Sequence, residues 1–200
     1  MHDGQNLFDE QGSFSGEWGV DETLDSARAQ MIVVGINNGG NKRFAEYSPY
    51  DVPGYGKGEG DLYLDFLLQT LRPYINKHFR TRRQRKYNYI AGSSMGGLIS
   101  MYAVLRDSKR WGGAGVFSPA FWVAKEPMLA QKKADRFKGK IYLHGGGQEG
   151  PQMVPDMLKY FEVLRKQKKI RLQTVIRAEG RHNEAAWRKE FPQFYQFLVR

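Results

Sequence analysis

The sequence predicts an α/β fold in which helices flank a mostly parallel central sheet. Short apolar runs alternate with longer segments of helical periodicity, and this alternation is typical of parallel strands joined by crossover helices. Residues 31–36 are apolar and rich in β-branched side chains, as expected for a strand that is buried on both faces of such a sheet. The 200 residues contain neither repeats nor a linker, so we expect one domain that spans residues 1–200.

The individual elements follow from the spacing of the apolar residues. Helices are predicted at residues 18–29, 61–78, 95–106, 154–168 and 184–199, and residues 125–137 are expected to be helical in part. Strands are predicted at residues 31–36, 87–91, 112–117, 140–144 and 171–178. Residues 37–60 are rich in Gly, Asn, Pro and Tyr and are expected to form a long loop. Pro73 has no amide hydrogen, so the second helix is expected to kink or break there.

The composition excludes several classes of protein. The chain has no cysteine, which rules out disulfides and thiolate metal sites. No apolar run approaches the roughly 18 residues of a membrane span, and the first residues lack a signal pattern, so the chain as written is expected to be cytoplasmic, with no membrane partner. The formal charge of +10 is concentrated in clusters such as residues 80–86. Because no nucleic-acid motif accompanies them, we interpret these clusters as solvated loops and helix ends, with polyanion binding as the alternative.

A strand–turn–helix segment at residues 87–106 carries the strongest signal for function. Gly92, Ser94 and Gly96 form a Gly-x-Ser-x-Gly pattern between an apolar run and a helical one. In that setting the turn holds a serine in a strained conformation at the end of a strand, and the glycines let the backbone turn tightly. The free amide groups of the following helix would point to where an oxyanion forms. We therefore predict Ser94 as a nucleophile, the alternative being a Ser/Gly-rich turn without chemistry.

Two later residues are placed to complete a catalytic triad with Ser94. Serine chemistry requires a histidine that accepts the proton and a carboxylate that orients the histidine. In open α/β sheets such groups lie at the carboxyl ends of strands. Glu149 follows the strand at 140–144 and His182 follows the last strand, which gives the order Ser, acid, His of the α/β-hydrolases. The less favoured candidates for the acid and the base are Asp107, Asp156, His2, His78 and His144.

Two backbone amides are candidates for an oxyanion hole. One belongs to Met95, directly after the predicted nucleophile, and the other to Gln5 in the turn that begins at Asp3. No cofactor is expected. No metal is expected either, because His144 and the loop that contains His182 lack the spacing of paired metal ligands.

Several segments together resemble the esterase D-type branch of the α/β-hydrolases. That branch includes enterochelin, feruloyl and acetylxylan esterases, S-formylglutathione hydrolases and mycolyltransferases. The segments extend over nearly the whole chain: His-Asp-Gly-Gln-Asn-Leu-Phe-Asp at 2–9, Trp-Gly-Val-Asp-Glu at 18–22, Glu-Tyr-Ser-Pro at 46–49, Gly-Ser-Ser-Met-Gly-Gly at 92–97, Phe-Ser-Pro-Ala-Phe-Trp at 117–122 and His-Asn-Glu-Ala-Ala-Trp at 182–187.

The resemblance implies a role for each residue singled out so far. The chain would be a serine carboxylester hydrolase that cleaves a small-molecule or polymer-linked ester through an acyl-enzyme. Ser94 would be the nucleophile, His182 the base and Glu149 the acid, a position where many relatives have Asp. The oxyanion donors would be the amides of Gln5 and Met95. The aromatic residues expected near the substrate are Tyr47, Phe121 and Trp122.

The start of the chain departs from the family pattern. Relatives have two or three further strands before the His-Asp-Gly turn, and the last of them lies between the counterparts of residues 31–36 and 87–91. In this N-terminally shortened sheet those two strands pair directly, or the chain is a fragment, or a second copy fills the gap in a homodimer. Gln5 is then expected to be poorly anchored. The alternatives to a hydrolase are an acyltransferase of the same branch and a weakly active or inactive remnant that dimerises.

Overall fold

The computed structural model describes residues 1–124 and 134–200, and its centre is a sheet of four parallel strands. The strands are β1 (Tyr89–Ser93), β2 (Gly113–Phe117), β3 (Gly139–Gly146) and β4 (Ile170–Arg177), and they lie side by side in chain order. Tyr89 pairs with Gly113, and Gly113 pairs with Lys140, so neighbouring strands begin nearly level with one another. Their carboxyl ends therefore meet along one edge of the sheet.

Helices lie before, between and after the strands. Those of the described residues are α1 (Val20–Ser26), α2 (Arg43–Tyr47), α3 (Gly60–Phe66), α4 (Arg72–His78), α5 (Met95–Arg106), α6 (Met153–Leu164) and α7 (Glu184–Val199). The helix α5 connects β1 to β2, and α6 connects β3 to β4, as in the predicted alternation. Within these residues no helix combines the length and the apolarity needed to cross a membrane.

Two apolar cores lie on opposite faces of the sheet, because successive residues of a strand point to opposite sides. Ile90 and Leu143 belong to the core that contains side chains of α3, α5 and α6. Ala91 and Tyr142 belong to the other core, together with side chains of α7 and Val20 of α1. The arrangement is the predicted three-layer α/β sandwich, and every residue of the central strand β2 is buried, as expected for a strand covered on both faces.

The structure corrects the prediction for residues 31–36, which form no ladder strand. Only Ile36 makes a bridge, with His2. The reason is the short neighbour: Met1 and His2 lie between Ile36 and β1, with Ile36 N donating to Met1 O at 2.9 Å and His2 N donating to Ala91 O at 2.9 Å. A strand needs a partner of comparable length. Of the three alternatives given for the start of the sheet, direct pairing of residues 31–36 with β1 is therefore not what the structure shows.

Three further differences are local. The expected loop at 37–60 contains the helix α2. The irregularity expected at Pro73 is a π-helical segment, Leu67–Leu71, that joins α3 to α4 just before the proline, whose missing amide hydrogen interrupts the regular ladder. Most of the partly helical stretch expected at 125–137 lies outside the described residues, and Ala134–Arg136 forms a 3₁₀ turn.

Gly115 in β2 leaves room for the aromatic ring of Phe194 in α7, so a larger residue at this position is expected to destabilise the fold. A Cβ atom at Gly115 would lie 2.7 Å from Phe194 Cε2 and 2.9 Å from Ala91 Cβ. Gly115→Ala is therefore expected to lower the free energy of unfolding in urea by about 1–3 kcal/mol through overpacking. Gly12→Ala is the control, because a Cβ there would meet nothing closer than 3.9 Å. Equal effects of the two changes would contradict this packing.

Candidate active site

Ser94 lies on a strained turn between β1 and α5. Its φ of 57° and ψ of −121° are unusual for a residue with a side chain, and such strain is characteristic of functional turns. A Cβ at Gly92 would lie 3.0 Å from the Gly96 carbonyl carbon, and one at Gly97 would lie 2.8 Å from Phe117 O. The close approach of these backbones explains why glycines flank the serine.

Glu149 and His182 meet at the same edge of the sheet, where β3 and β4 end. His182 Nδ1 lies 2.7 Å from Glu149 Oε2. The other carboxylate oxygen, Oε1, accepts from Ser118 Oγ at 2.7 Å and from the Gly146 amide at 2.6 Å. The Glu149 side chain is fully buried, whereas the His182 side chain is 41% exposed. The carboxylate is therefore held in place by three donors, and the imidazole faces solvent.

The surroundings of Glu149 keep its carboxyl ionised. Burial alone would raise the pKa of Glu149, because a low dielectric disfavours the charge. The hydrogen bonds from His182, Ser118 and the Gly146 amide outweigh burial and hold the pKa of this carboxyl below its ordinary value.

Ser118 and Trp187 complete the network around the carboxylate, and the sequence analysis assigned them no role. Trp187 Nε1 donates to Ser118 Oγ at 2.8 Å, and the Trp187 ring stands edge-on to the His182 ring with centroids 5.1 Å apart. Ser118 has a positive φ of 43° directly after β2. Ser118 could have been identified from the sequence because it directly follows a predicted strand, which is the criterion that selected Glu149.

The elbow is joined to the end of β2 by main-chain hydrogen bonds. Ser94 N donates to Phe117 O at 2.9 Å, and Ala120 N donates to Ser94 O at 3.0 Å. Ser94 and Ser118 therefore lie on two turns that are bonded to each other. Ser94 Oγ and His182 make no direct hydrogen bond among the described contacts, and such bonds commonly tighten only when substrate binds.

The other histidines do not compete with His182 for this role. His2 is buried and its Nδ1 lies 2.8 Å from Tyr63 OH, while burial, the largest cause, lowers its pKa well below the ordinary value. Burial also lowers the pKa of His144, whose Nε2 is 3.9 Å from the nearest carboxylate oxygen, on Glu190. His78 bonds to the backbone of its own helix. Of the four histidines, all of them described, only His182 makes a hydrogen bond to a carboxylate.

The two amides expected to form an oxyanion hole are both available. Met95 is the first residue of α5, so its N–H has no acceptor within the helix. Gln5 lies in the 3₁₀ turn Gly4–Asn6, and its N–H has no acceptor among the described residues. The Gln5 side chain is fixed by two bonds to the backbone of Asn38, at 3.3 Å from Nε2 and 3.2 Å to Oε1.

The turn that carries Gln5 is firmly held, which corrects the expectation of poor anchoring. Arg43 makes a two-pronged ion pair with Asp3, at 2.7 Å from Nε and 2.8 Å from Nη2. The Asp3 side chain is only 7% exposed, so the pair is largely shielded from water. Gly4 N also donates to Ile36 O at 2.9 Å. Arg43 could not be identified from the sequence, because nothing local links it to Asp3, a residue 40 positions earlier.

The structure separates the three aromatic residues that were expected near the substrate. Tyr47 is fully buried, and Phe121 is 3% exposed, its ring stacked on Tyr160. Trp122 is 55% exposed and is the one of the three with substantial free surface. Two rings that the sequence analysis did not single out lie beside it: Tyr55 at 5.7 Å and Phe44 at 6.4 Å between centroids.

Comparisons with known proteins identify the family of the chain. The model of the family described as "Putative esterase" matches residues 1–198. The protein YbbA of Bacillus subtilis, described as uncharacterized, is 28% identical over 133 residues, which are 61% of this chain and 49% of YbbA. The chain thus spans about half the length of that curated relative.

Solved structures show the same fold. The BES protein from Bacillus cereus superimposes with a TM-score of 0.77 at 16% identity, covering 90% of this chain and 75% of that one. The enterochelin esterase from Shigella flexneri superimposes with a TM-score of 0.70 at 21% identity, covering 99% of this chain and 49% of that one. With the family match over nearly its full length, the chain belongs to the esterase family within the α/β-hydrolase fold.

Proposed function

We propose that the chain is a serine esterase that cleaves carboxylic esters through an acyl-enzyme. The observation that carries the proposal is the 2.7 Å hydrogen bond between His182 and the buried Glu149 carboxylate, at the sheet edge where Ser94 lies on its strained turn. The family match and the serine hydrolases and esterases among the structural neighbours support the same activity.

In the first half of the proposed reaction Ser94 Oγ attacks the ester carbonyl carbon. The nitrogen Nε2 of His182 accepts the hydroxyl proton, and Glu149 stabilises the imidazolium that results. The carbonyl oxygen becomes an oxyanion and accepts hydrogen bonds from the amides of Gln5 and Met95. When the tetrahedral intermediate collapses, the imidazolium gives its proton to the departing alcohol and leaves an acyl group on the serine.

In the second half water replaces the alcohol. His182 takes a proton from the water, the hydroxide attacks the acyl carbon, and the returned proton releases Ser94 and a carboxylic acid. The exposed Trp122 forms an apolar wall with Phe44 and Tyr55. This wall lies near the elbow, because Ala120, two residues before Trp122, donates its backbone N–H to Ser94 O. We propose that this wall contacts the acyl or alcohol part of the ester, whereas Tyr47 and Phe121 are buried and belong to the apolar core.

Removing the nucleophile tests the proposal most directly. Ser94→Ala is expected to reduce hydrolysis of p-nitrophenyl acetate to the background rate and to abolish labelling by a fluorophosphonate probe, because no hydroxyl remains to be acylated. Ser93→Ala is the matched control, because Ser93 is the neighbouring serine, is buried and has no role in the proposed mechanism. Hydrolysis that persists unchanged in purified Ser94→Ala protein would overturn the proposal.

The acid can be distinguished from its closest rival by substitution of each. Glu149→Gln is expected to lower kcat by about 10²–10⁴-fold, because a neutral amide neither fixes the imidazole tautomer nor stabilises its charge. Asp156→Asn is the control, since Asp156 lies on α6 and pairs with the exposed Lys159. Steady-state kinetics with p-nitrophenyl acetate measures both. A larger loss in the Asp156 variant would move the acid away from Glu149.

The ion pair between Asp3 and Arg43 should matter for turnover through the position of Gln5. Arg43→Met is expected to lower kcat by about 10–100-fold with little change in KM, because a loosened turn presents the oxyanion donor poorly. Arg188→Met is the control. Arg188 lies on α7, and its ion pair with Glu17 is longer, at 3.5 Å, than the pair between Arg43 and Asp3. Thermal melts must show both variants folded at the assay temperature. Unchanged kcat in folded Arg43→Met protein would exclude this role.

A further inference from the structure

A buried hydrogen bond joins the turn that carries Gln5 to the helix that follows His182. Asn6 Nδ2 donates to Glu184 Oε1 at 2.9 Å across 178 positions of the chain. Asn6 is 1% exposed and Glu184 is 6% exposed, so little water reaches this bond. Asn6 directly follows Gln5. Glu184 comes two residues after His182, so the bond links the candidate oxyanion donor to the candidate base.

The Asn6 side chain is engaged at both of its polar atoms. Its Nδ2 donates to Ser15 Oγ at 3.1 Å as well as to Glu184. Its Oδ1 accepts from the Phe14 amide at 3.3 Å. A rotated amide would turn Oδ1 toward the Glu184 carboxylate, and two acceptors cannot form a hydrogen bond with each other. These contacts therefore keep the side chain in one orientation, with its donor toward Glu184.

The Glu184 carboxylate is a strong acceptor in this setting. Ser15 Oγ donates to the same oxygen, Oε1, at 2.6 Å. Glu184 is the first residue of α7, where the free amides of the helix favour a negative charge. Hydrogen bonds to a charged acceptor are roughly twice as strong as those between neutral groups. The bond from Asn6 is therefore expected to persist throughout the folded state.

The start of α7 is a fixed reference point for this bond. Asn183 caps the helix, its side chain accepting from the Ala186 amide at 3.0 Å. Trp187, one turn further along, donates to Ser118 Oγ at 2.8 Å in the network around the buried carboxylate of the site. Glu184 lies between these two points of attachment, so its position is set by the helix.

The proposed reaction requires its donor and its base to meet at one ester group. The Gln5 amide must reach the carbonyl oxygen while His182 Nε2 reaches the hydroxyl of Ser94. Met95 directly follows Ser94, so the elbow itself fixes one donor beside the nucleophile. Gln5 and His182 lie near opposite ends of the chain, and only contacts through space align them. A misplacement of about 1 Å costs about 10²-fold in rate.

We propose that Asn6 and Glu184 are positioning residues, whose hydrogen bond aligns the Gln5 amide with His182. The proposal rests on the serine-esterase function proposed above. Both polar atoms of Asn6 are engaged with the protein, so Asn6 acts through the adjacent Gln5. Loss of the bond should therefore weaken stabilisation of the oxyanion in the transition state and leave binding of the ester nearly unchanged.

Two other roles would use the same contacts. As a catalytic acid Glu184 would have to bond to His182, but His182 Nδ1 already lies 2.7 Å from Glu149 Oε2. The Glu184 oxygen Oε1 is in turn engaged by Asn6 and Ser15. As a purely structural bond, the contact would raise stability and leave turnover of the folded protein unaffected. Kinetics of folded variants separates that role from positioning.

Asn6→Asp tests the proposal, because it places a second carboxylate where Glu184 Oε1 now accepts a hydrogen bond. The variant is expected to lower kcat for p-nitrophenyl acetate by about 10–100-fold and to change KM by less than about threefold. Asn88→Asp is the matched control. It also removes an Nδ2 donor, from Gln84 O at 2.7 Å, but at the amino end of β1, away from the site. It should change kcat by less than about twofold.

Exchanging the donor and the acceptor restores the bond. In Asn6→Asp/Glu184→Gln the new amide at position 184 donates to the new carboxylate at position 6. The double variant is therefore expected to recover kcat to within about fivefold of Glu184→Gln alone. Glu184→Gln by itself keeps an acceptor oxygen for Asn6 and should lose less than about fivefold. A bond that only stabilises the fold predicts no recovery of kcat among variants that are all folded.

Thermal melts show which variants are folded at the assay temperature. If Asn6→Asp is not folded, Glu184→Ala carries the test with the same expected loss, because it removes the acceptor without adding a charge. Wild-type kcat in the folded test variant, or a folded double variant no more active than Asn6→Asp, would overturn the proposal. Failure of the proposed function would look different: the wild-type protein would then hydrolyse the ester no faster than Ser94→Ala.

Discussion

The buried carboxylate of Glu149 is the interaction on which the candidate site depends. It accepts hydrogen bonds from Ser118 after β2, from Gly146 at the end of β3, and from His182 after β4. Trp187 of α7 joins the same network through Ser118. A buried charge is tolerated only when donors surround it, so each of these contacts is required by the burial as well as by the chemistry. One charged group thereby fixes the relative positions of three strand ends and a helix.

The turn that carries the candidate oxyanion donor Gln5 is held by other interactions. The turn that carries Gln5 is held by the shielded ion pair between Asp3 and Arg43 and by main-chain bonds to Ile36. His2 packs against the glycines of the elbow, where a Cβ at Gly92 would come within 3.0 Å of its ring. Small residues at the elbow therefore serve two purposes: they permit the strained serine and they admit the turn that faces it.

The sequence by itself determined the α/β alternation, the boundaries of α5 and α7, and the candidates Ser94, Glu149 and His182. These features depend on local patterns, namely helical periodicity and residues that directly follow apolar runs. Only the tertiary structure decided which carboxylate meets the histidine, that Ser118, Trp187 and Arg43 support the site, and that Tyr47 is buried while Trp122 is exposed. It also decided that residues 31–36 form no strand. The physical reason is that strand pairing and side-chain burial depend on residues that are distant in the chain. An apolar run in the sequence does not show whether a strand of equal length lies beside it.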